Sequence, residues 1–362
     1  MFSAGILSSS ASEEHPAVKA AVLKQVNDIS CTSVPEPRLE AGDLLVKVRA
    51  ATICGTDIRI IRGRKTAGVR YPSILGHEFS GEIVDTGGHA QFSLGQAVAV
   101  CPAFACGHCA ACMSGAENLC HNLVAMGYEI DGGFAEYVRI PARGVASGNV
   151  FALPGGMTFE AAALAEPLAC VINGQERVRV GLGDTVVVLG AGPIGLLHVQ
   201  LAKHSGASRI IVSQRSAVRR AAALAAGADT VIDPTTENVI ERVRALTGGQ
   251  GADVAICAIG DPSLANDAIH MVRPRGRVSL FAGFAKGTEA PLDVNAIHYS
   301  ELLVTGAFGL SRLQFRTALQ MIASGHINAA SLLSHRFPLS DFTAALATAE
   351  QGSAIKVSLL NS

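Results

Sequence analysis

Nine cysteines occur in this 362-residue chain, and five of them fall between positions 101 and 120. Within ACGHCAACMSGAENLC, Cys106, Cys109, Cys112 and Cys120 stand in C-x2-C-x2-C-x7-C spacing. Four thiolates on one short loop suit a closed tetrahedral zinc site with a structural role, because no coordination position is left for chemistry. The bacterial ferredoxin run for an iron–sulfur cluster ends x3-C-P, and that ending is absent here. In a reducing compartment such a cluster reads as metal-binding rather than as a disulfide framework. Cys101, just upstream, reads as a small buried apolar residue.

A second constellation is scattered. ICGTDIR contributes Cys54 with Thr56, LGHEFSG contributes His77 and Glu78, and ALAEPLAC contributes Glu166. Each lies beside a glycine or proline, and together they offer sulfur, nitrogen and oxygen ligands. An open zinc site of that kind polarises a bound alcohol and lowers its pKa. Zinc in water already lowers the pKa of a bound water from about 16 to about 9, and protein sites reach about 7.

A third signal is TVVVLGAGPIGLL, where Gly190, Gly192 and Gly195 have G-x-G-x-x-G spacing after an apolar strand and at the opening of a helix. In that context the pattern is a dinucleotide fingerprint. Gly190 permits the turn, Gly192 lets the backbone approach a pyrophosphate, and Gly195 lets helix and strand pack closely. The helix N-terminus that opens at Pro193 and Ile194 then offers free N–H groups to the phosphates. The next strand ends in RIIVSQRSAVRR, so Ser213, Gln214, Arg215, Ser216 and Arg219 stand where the cofactor's adenosine ribose is expected. A carboxylate there suits the free hydroxyls of NAD, whereas NADP carries a phosphate that an acid repels. Gln214 stands in place of the acid, and Arg215, Ser216 and Arg219 supply charge and donors for a phosphate. NADP is therefore favoured over NAD.

The elements that must position these groups follow two rhythms. From about 19 to 150, short alternating runs such as DLLVKVRAATI and QAVAV are separated by Gly, Pro and Asp, the pattern of an antiparallel, loop-rich β domain. Beyond 150, TVVVLG, RIIVSQ, TVID, DVAICAIG, RVSLFAG and ELLVTGAF alternate with helical stretches, which implies an α/β doubly wound parallel sheet. After about 308 a helix and the short strand IKVSLL break that alternation, as though the C-terminus returned to the first domain. With 49% apolar and 16% charged residues the chain reads as compact and globular. A formal charge of -1 gives no reason to expect nucleic acid or an anionic membrane as partner. The apolar run between Asp184 and Lys203 contains three glycines, a proline, a histidine and a glutamine, a poor membrane span. The first 18 residues carry no Arg but include Glu13 and Glu14, which fits neither a signal nor a transit peptide. They read as a loose tail, and a cytoplasmic location is expected.

Taken together, ICGTD, LGHEFSGEIV, the four-cysteine lobe, DGGFAEY, EPLAC, GAGPIGLL and HRFPLSDF make the chain resemble zinc-dependent members of the medium-chain dehydrogenase/reductase superfamily, in its polyol (sorbitol-like) branch, from about Lys19 to the C-terminus. The resemblance implies a GroES-like catalytic domain at 19–165 with 309–362, a Rossmann cofactor domain at 166–308, and a tail at 1–18. It implies two zinc ions per subunit. Cys54 and His77 resemble catalytic zinc ligands, Glu78 is a ligand in some members, and Glu166 binds the metal or its water. Thr56 matches the hydroxyl that relays the substrate's proton. Ile194, Gln214 and Arg219 are implied to face the cofactor, with the loops Phe281, Ala282, Gly283 and Ala307, Phe308, Gly309. The expected activity is reversible hydride transfer between a secondary alcohol (a polyol, a sugar alcohol or its phosphate) and NAD(P), in a homodimer or homotetramer.

Two positions depart from the family pattern. Many members carry a histidine five residues after the catalytic cysteine, and this chain has Arg59, which cannot cycle a proton near neutral pH. Sorbitol dehydrogenases place an arginine after the phenylalanine of the sixth strand, and here Gly309 follows Phe308. Galactitol-phosphate and threonine dehydrogenases share parts of the same motifs. Arg59, the run RGRK at 62 to 65 and Arg70 admit two readings, a solvated basic loop or recognition of an anionic substrate such as a sugar phosphate. Rival readings are a zinc-free quinone or enone reductase of the same fold, a threonine-type dehydrogenase, and a non-enzymatic regulator with relic sites. Retention of Cys54, His77 and Glu166 argues against the first and the last.

Overall fold

The computed structural model describes residues 17–285 and 287–361. Most of the expected tail lies outside the described residues. The first strand, Ala17–Gln25, begins two residues ahead of Lys19 and turns through Asn27, at φ 62°, into its antiparallel partner Asp28–Pro35.

The first domain is built on a seven-stranded sheet. Its order is Val150–Ala152, Ala97–Val100, Phe79–Asp85, Leu44–Thr52, Lys356–Leu360 and Leu333–Pro338, with Tyr137–Ile140 also paired to Leu44–Thr52. The last two strands of the chain are thus part of the first sheet. Leu44, Val46, Val48, Phe79 and Ile83 bury their side chains against Phe134 and Phe342, whose rings lie 5.3 Å apart. Register matters more than strand count. Ala51 pairs with Phe79, the Thr52 N–H donates to the Glu78 carbonyl at 2.9 Å, and Ser358 pairs with Thr52. Three segments far apart in sequence therefore leave the sheet side by side: the chain after Thr52, the chain before Glu78, and the start of the strand Lys356–Leu360.

The second domain carries a six-stranded sheet in the order Thr230–Ile232, Arg209–Ser213, Thr185–Leu189, Ala252–Cys257, Val272–Leu280 and Leu303–Gly306, all parallel. This is the α/β arrangement expected from the alternating strands and helices. Val186, Val187 and Val188 are all fully buried, as a strand covered by helices on both faces must be. The helices start where small polar caps permit. Ser216, Asn238 and Asp261 accept N–H bonds at the starts of Ala217–Ala226, Val239–Leu246 and Pro262–Met271. Gly227, at φ 112°, ends the first of these in the left-handed region. Strand order reverses on either side of Thr185–Leu189, which places a crevice at that strand's C-terminal end.

The helix Ala165–Val178 joins the two halves. Its residues Leu168, Val171, Ile172 and Val178 sit in one core with Val186 and Val188 of the parallel sheet and with Phe315 and Leu319 of the helix Arg312–Ala323. Glu166 rides in its first turn. Among the described residues no helix is long and apolar enough to cross a membrane.

Candidate active site

Cys54 caps the helix Gly55–Ile61. Its Sγ accepts the Thr56 N–H at 3.4 Å, and its own N–H donates to Asp57 Oδ2 at 2.8 Å, so one short helix fixes both the sulfur and the Thr56 hydroxyl. The strand register then delivers His77 and Glu78 beside it. One donor atom from each of Cys54, His77 and Glu78 lies within 4.8 Å of the others. Glu78 is completely buried and divided in its duties. Oε2 pairs with Lys356 Nζ at 2.5 Å and accepts the Thr52 hydroxyl, while Oε1 has no partner. His77 Nδ1 stands 3.2 Å from Asp57 Oδ1, but off the line a hydrogen bond requires, and both atoms are otherwise unpartnered. The His77 ring stacks on Tyr128 at 5.2 Å.

Glu166 is buried close by but stands outside that 4.8 Å set, and Cys170 Sγ donates to its Oε1 at 3.7 Å. Burial, with Glu78 adding to it, raises the Glu166 carboxyl to about 7. At His77 burial disfavours the cation, yet Tyr128, Asp57 and Cys54 outweigh it and the imidazole pKa rises well above its ordinary value. The phenol, carboxylate and thiol around His77 thus favour a positive charge at that ring. A half-buried thiol converging with a buried imidazole and a buried carboxylate that each keep an unpartnered atom fits zinc, and a dication in place of the His77 proton would answer that field.

The four-cysteine lobe is different in kind. Cys106, Cys109, Cys112 and Cys120 bring their sulfurs within 4.8 Å of one another inside fifteen residues. Its apolar content is slight: Ala105, Cys109 and Cys120 are buried, with Cys106, Ala111, Cys112 and Leu123 packed against them. Backbone N–H groups around His108 lower the Cys106 thiol to about 6, whereas burial and the neighbouring sulfurs raise Cys112 to about 11. Crowded sulfurs that resist full ionisation fit a metal dication. The lobe is moored by the Arg312–Glu117 pair and by Asn118 Nδ2, which donates to the Phe308 carbonyl at 2.6 Å.

In the nucleotide crevice Gly190 adopts φ 105°, and a Cβ on Gly195 would collide with the Gly190 carbonyl oxygen. Beside Gly192 a Cβ would meet nothing within 4 Å, an open cradle of the kind a pyrophosphate needs. Pro193 is the first residue of the helix Pro193–His204, where its missing N–H costs nothing, and Ile194 is half-buried. The five residues that end the second strand separate by role. Ser213 is buried, the Gln214 Oε1 accepts the Ser216 N–H at 3.0 Å, and the Ser216 hydroxyl caps the next helix. Arg219 Nη2 donates to the Ala354 carbonyl at 3.0 Å, which turns it toward the first domain. Arg215 alone of the five is exposed, and it makes no ion pair among the described residues. Arg220, which sequence reasoning did not single out, pairs with Asp233 at 2.8 Å and bonds the Gln214 carbonyl, pinning the loop. Of the two expected cofactor loops, Phe281 packs its ring edge-on against His198 at 4.7 Å, and the Ala282 N–H donates to Cys257 O at 3.0 Å, with Gly283 following. Ala307 precedes Phe308, whose ring is exposed, and Asn173 Nδ2 donates to the carbonyls of Phe308 and Gly309. Asp57, Tyr128, Thr52 and Lys356 also escaped sequence reasoning. Asp57 was readable three positions after Cys54 as half of a capping box, but nothing in the sequence ties Lys356 to Glu78.

Comparison with known proteins bears on this architecture. Residues 40–150 match the family model of the alcohol dehydrogenase GroES-like domain, and residues 193–324 match that of zinc-binding dehydrogenases. The chain is 34% identical over 336 residues to L-threonine 3-dehydrogenase of Bacillus licheniformis, covering 90% of this chain and 94% of the relative. It is 32% identical over 338 residues to sorbitol dehydrogenase of Bacillus subtilis, covering 92% and 94%. A zinc-binding dehydrogenase from Sinorhizobium meliloti, solved bound to NADP, superposes with a TM-score of 0.89 at 32% identity, covering 96% of this chain and all of that one. A GroES-like domain joined to a zinc-binding dehydrogenase's parallel sheet defines an oxidoreductase class. The chain belongs to the zinc-dependent medium-chain dehydrogenase/reductase superfamily, whose relatives here are named alcohol, polyol and threonine dehydrogenases.

Proposed function

We propose that the protein reversibly oxidises a secondary alcohol to the ketone, using NADP in preference to NAD, with one zinc at Cys54, His77, Glu78 and Glu166 and a second in the four-cysteine lobe. The observation that carries this reading is the convergence of the Cys54, His77 and Glu78 donor atoms within 4.8 Å, with unpartnered His77 Nδ1 and Glu78 Oε1. When bound, zinc would stabilise the alkoxide electrostatically and the nicotinamide would take the hydride.

The chain's own residues supply the rest. Thr56 Oγ1 accepts the carbinol proton, and the helix Gly55–Ile61 keeps it at a fixed offset from Cys54. Arg59 Nη2 donates to that oxygen at 3.3 Å, so it orients the hydroxyl without carrying the proton further. The proton leaves through water or the cofactor ribose. Lys356 and Thr52 hold Glu78 Oε2, which leaves Oε1 as the atom free to reach a metal. Glu166, uncharged at its raised pKa more often than an ordinary carboxyl, takes the metal or its water. At the ribose end, Gln214 in place of an acid and exposed Arg215 support NADP. The family resemblance supports a homodimer or homotetramer, and the thiolate-rich lobe suits a reducing compartment such as the cytoplasm.

The test is a screen of NADP and NAD over polyols, sugar phosphates, L-threonine and simple secondary alcohols, with zinc analysis before and after chelation. Expected are alcohol-dependent reduction at 340 nm, two zinc ions per chain, and loss of turnover when the cleft metal is removed. A clear NAD preference would end the cofactor reading, and a cleft without zinc would end the mechanism.

A further inference from the structure

We propose that Arg59 and Lys65 form an anion-recognition subsite at the mouth of the candidate metal site, so that the substrate is a secondary alcohol bearing an acidic group, carboxylate or phosphate, a few carbons from the carbinol. This rests on the alcohol-oxidation reading above. The basic stretch from Arg59 to Arg70 is not uniform. Arg62 is spoken for by Glu350 at 2.6 Å, Arg70 by Asp131 at 2.5 Å, and Arg64 lies in the field of the same Glu350. Those three belong to a surface basic loop. Arg59 is exposed too, but its guanidinium turns back to Thr56, Lys65 is half-buried, and among the described residues neither makes an ion pair.

Backbone geometry turns these two together. The N–H groups of Arg64 and Lys65 both donate to the Arg59 carbonyl, at 2.7 and 3.1 Å, so the loop folds back over the end of the helix Gly55–Ile61. Arg59 reaches toward the chemistry, with Nη2 3.3 Å from Thr56 Oγ1. Lys65 is half-buried, its ammonium 4.1 Å from the centre of the Tyr128 ring, and the other neighbour of that ring is His77, stacked at 5.2 Å. A lysine held against an aromatic face beside a metal ligand, rather than extended into water, has lost part of its hydration. Burial lowers its pKa, and Arg59 lowers it further despite the opposing pull of Glu129 and Asp57. Both of those carboxylates are engaged elsewhere. Asp57 Oδ2 accepts the Cys54 N–H, and Glu129 Oε2 accepts the Ala125 N–H at 2.9 Å. Two neighbouring cations, one partly desolvated and neither held in an ion pair, repel each other, and an anion placed between them relieves that repulsion. Arginine supplies a fork for two oxygens and lysine a point charge, and both match a carboxylate or a phosphate.

The test compares zinc- and NADP-loaded wild type with Arg59→Gln and Lys65→Gln on sorbitol, on gluconate, and on sorbitol 6-phosphate. Wild type should favour one of the two acids over sorbitol by at least about tenfold in kcat/KM. Lys65→Gln is the discriminating variant and should lose about 10- to 100-fold on that acid, mainly through KM, with a much smaller change on sorbitol, whereas Arg59→Gln, which also loses its bond to Thr56 Oγ1, should lose activity on all three substrates and most on the acid. Arg59→Lys and Lys65→Arg should recover most of the loss. Whichever acid responds identifies carboxylate or phosphate. Calorimetric titration of gluconate and of inorganic phosphate into wild type and Lys65→Gln gives a readout independent of turnover. A wild-type preference for sorbitol, or equal losses on neutral and acidic substrates, overturns the subsite while leaving alcohol oxidation standing. Anion binding that depends on Lys65, without turnover of any alcohol, would instead sink the parent reading and keep the subsite.

Discussion

The four-cysteine lobe and the cleft around Cys54 both gather sulfur-bearing donor sets within 4.8 Å, and they do so by opposite means. The lobe takes its donors from fifteen consecutive residues and has a meagre apolar core of its own. Little besides a metal can hold it, so in the lobe binding and folding are one free energy. The cleft takes Cys54, His77 and Glu78 from segments that a seven-stranded sheet has already aligned, behind a core that includes Phe79, Phe134 and Phe342. There folding comes first and the donors are its product. The lobe is therefore a site that stabilises, and the cleft one that folding must support, with unsatisfied groups such as Glu78 Oε1 and His77 Nδ1 left in its interior.

The contrast is sharpest in a pair of substitutions. Cys54→Ala should lower kcat/KM at least about 10³-fold, because the alkoxide loses its metal, while the melting temperature barely moves. Cys109→Ser should do the reverse, lowering Tm by on the order of 10 °C through failure of the lobe. Both should take zinc content from two to one per chain. Calorimetric scans and metal analysis check this, and a Cys54 variant that unfolds would dissolve the distinction.

Support of the cleft by its surroundings is tested at Lys356. Lys356→Met strands a buried Glu78 carboxylate, and the expected cost is about 3–5 kcal/mol in denaturant unfolding. A variant as stable as wild type would mean that the pair contributes nothing to holding Glu78.

Acid should release metal from both proposed sites, because thiolates and imidazole must be deprotonated to bind. That comparison is clean only if the rest of the chain survives, and His198 bears on this. It is fully buried, and desolvation alone lowers its pKa from 6.5 to about 3. Between those values the unfolded chain binds a proton that the folded chain refuses. The stability it contributes is complete above pH 6.5 and drains away as pH falls toward 3, by about 1.4 kcal/mol per unit. His198→Gln should flatten the dependence of Tm on pH in that window. An unchanged slope would assign the acid sensitivity elsewhere. The smallest effect expected is at the ribose: Arg215→Ala should cut the NADP-over-NAD preference about tenfold in kcat/KM, and an unaltered ratio would remove Arg215 from cofactor choice.

Legibility follows the same division. The lobe could be read from spacing alone, since cysteines three and eight positions apart can meet without help from the rest of the chain. The parallel sheet was equally plain, because its central strands Thr185–Leu189 and Ala252–Cys257 are largely apolar and its helices open on Ser216, Asn238 and Asp261. Arg219 shows where such reading stops. Its place after the second strand suggested a phosphate, and nothing in the sequence told that one of its guanidinium nitrogens also donates to the Ala354 carbonyl, 135 residues away, while its Nε keeps no partner. Arg220, one position on, carried no expectation and is the residue that pins the loop through Asp233.

Sequence by itself determined the elements, the two metal-binding vocabularies and the glycines that admit a dinucleotide, because each is a matter of local conformation or short-range spacing. Only the tertiary structure decided which oxygen of Glu78 is left free, which arginines are already neutralised, and that Lys65 and His77 both lie against the ring of Tyr128. These depend on strand register and on charges brought together from distant positions, and the energy of a charge is set by its neighbours in space rather than in the chain.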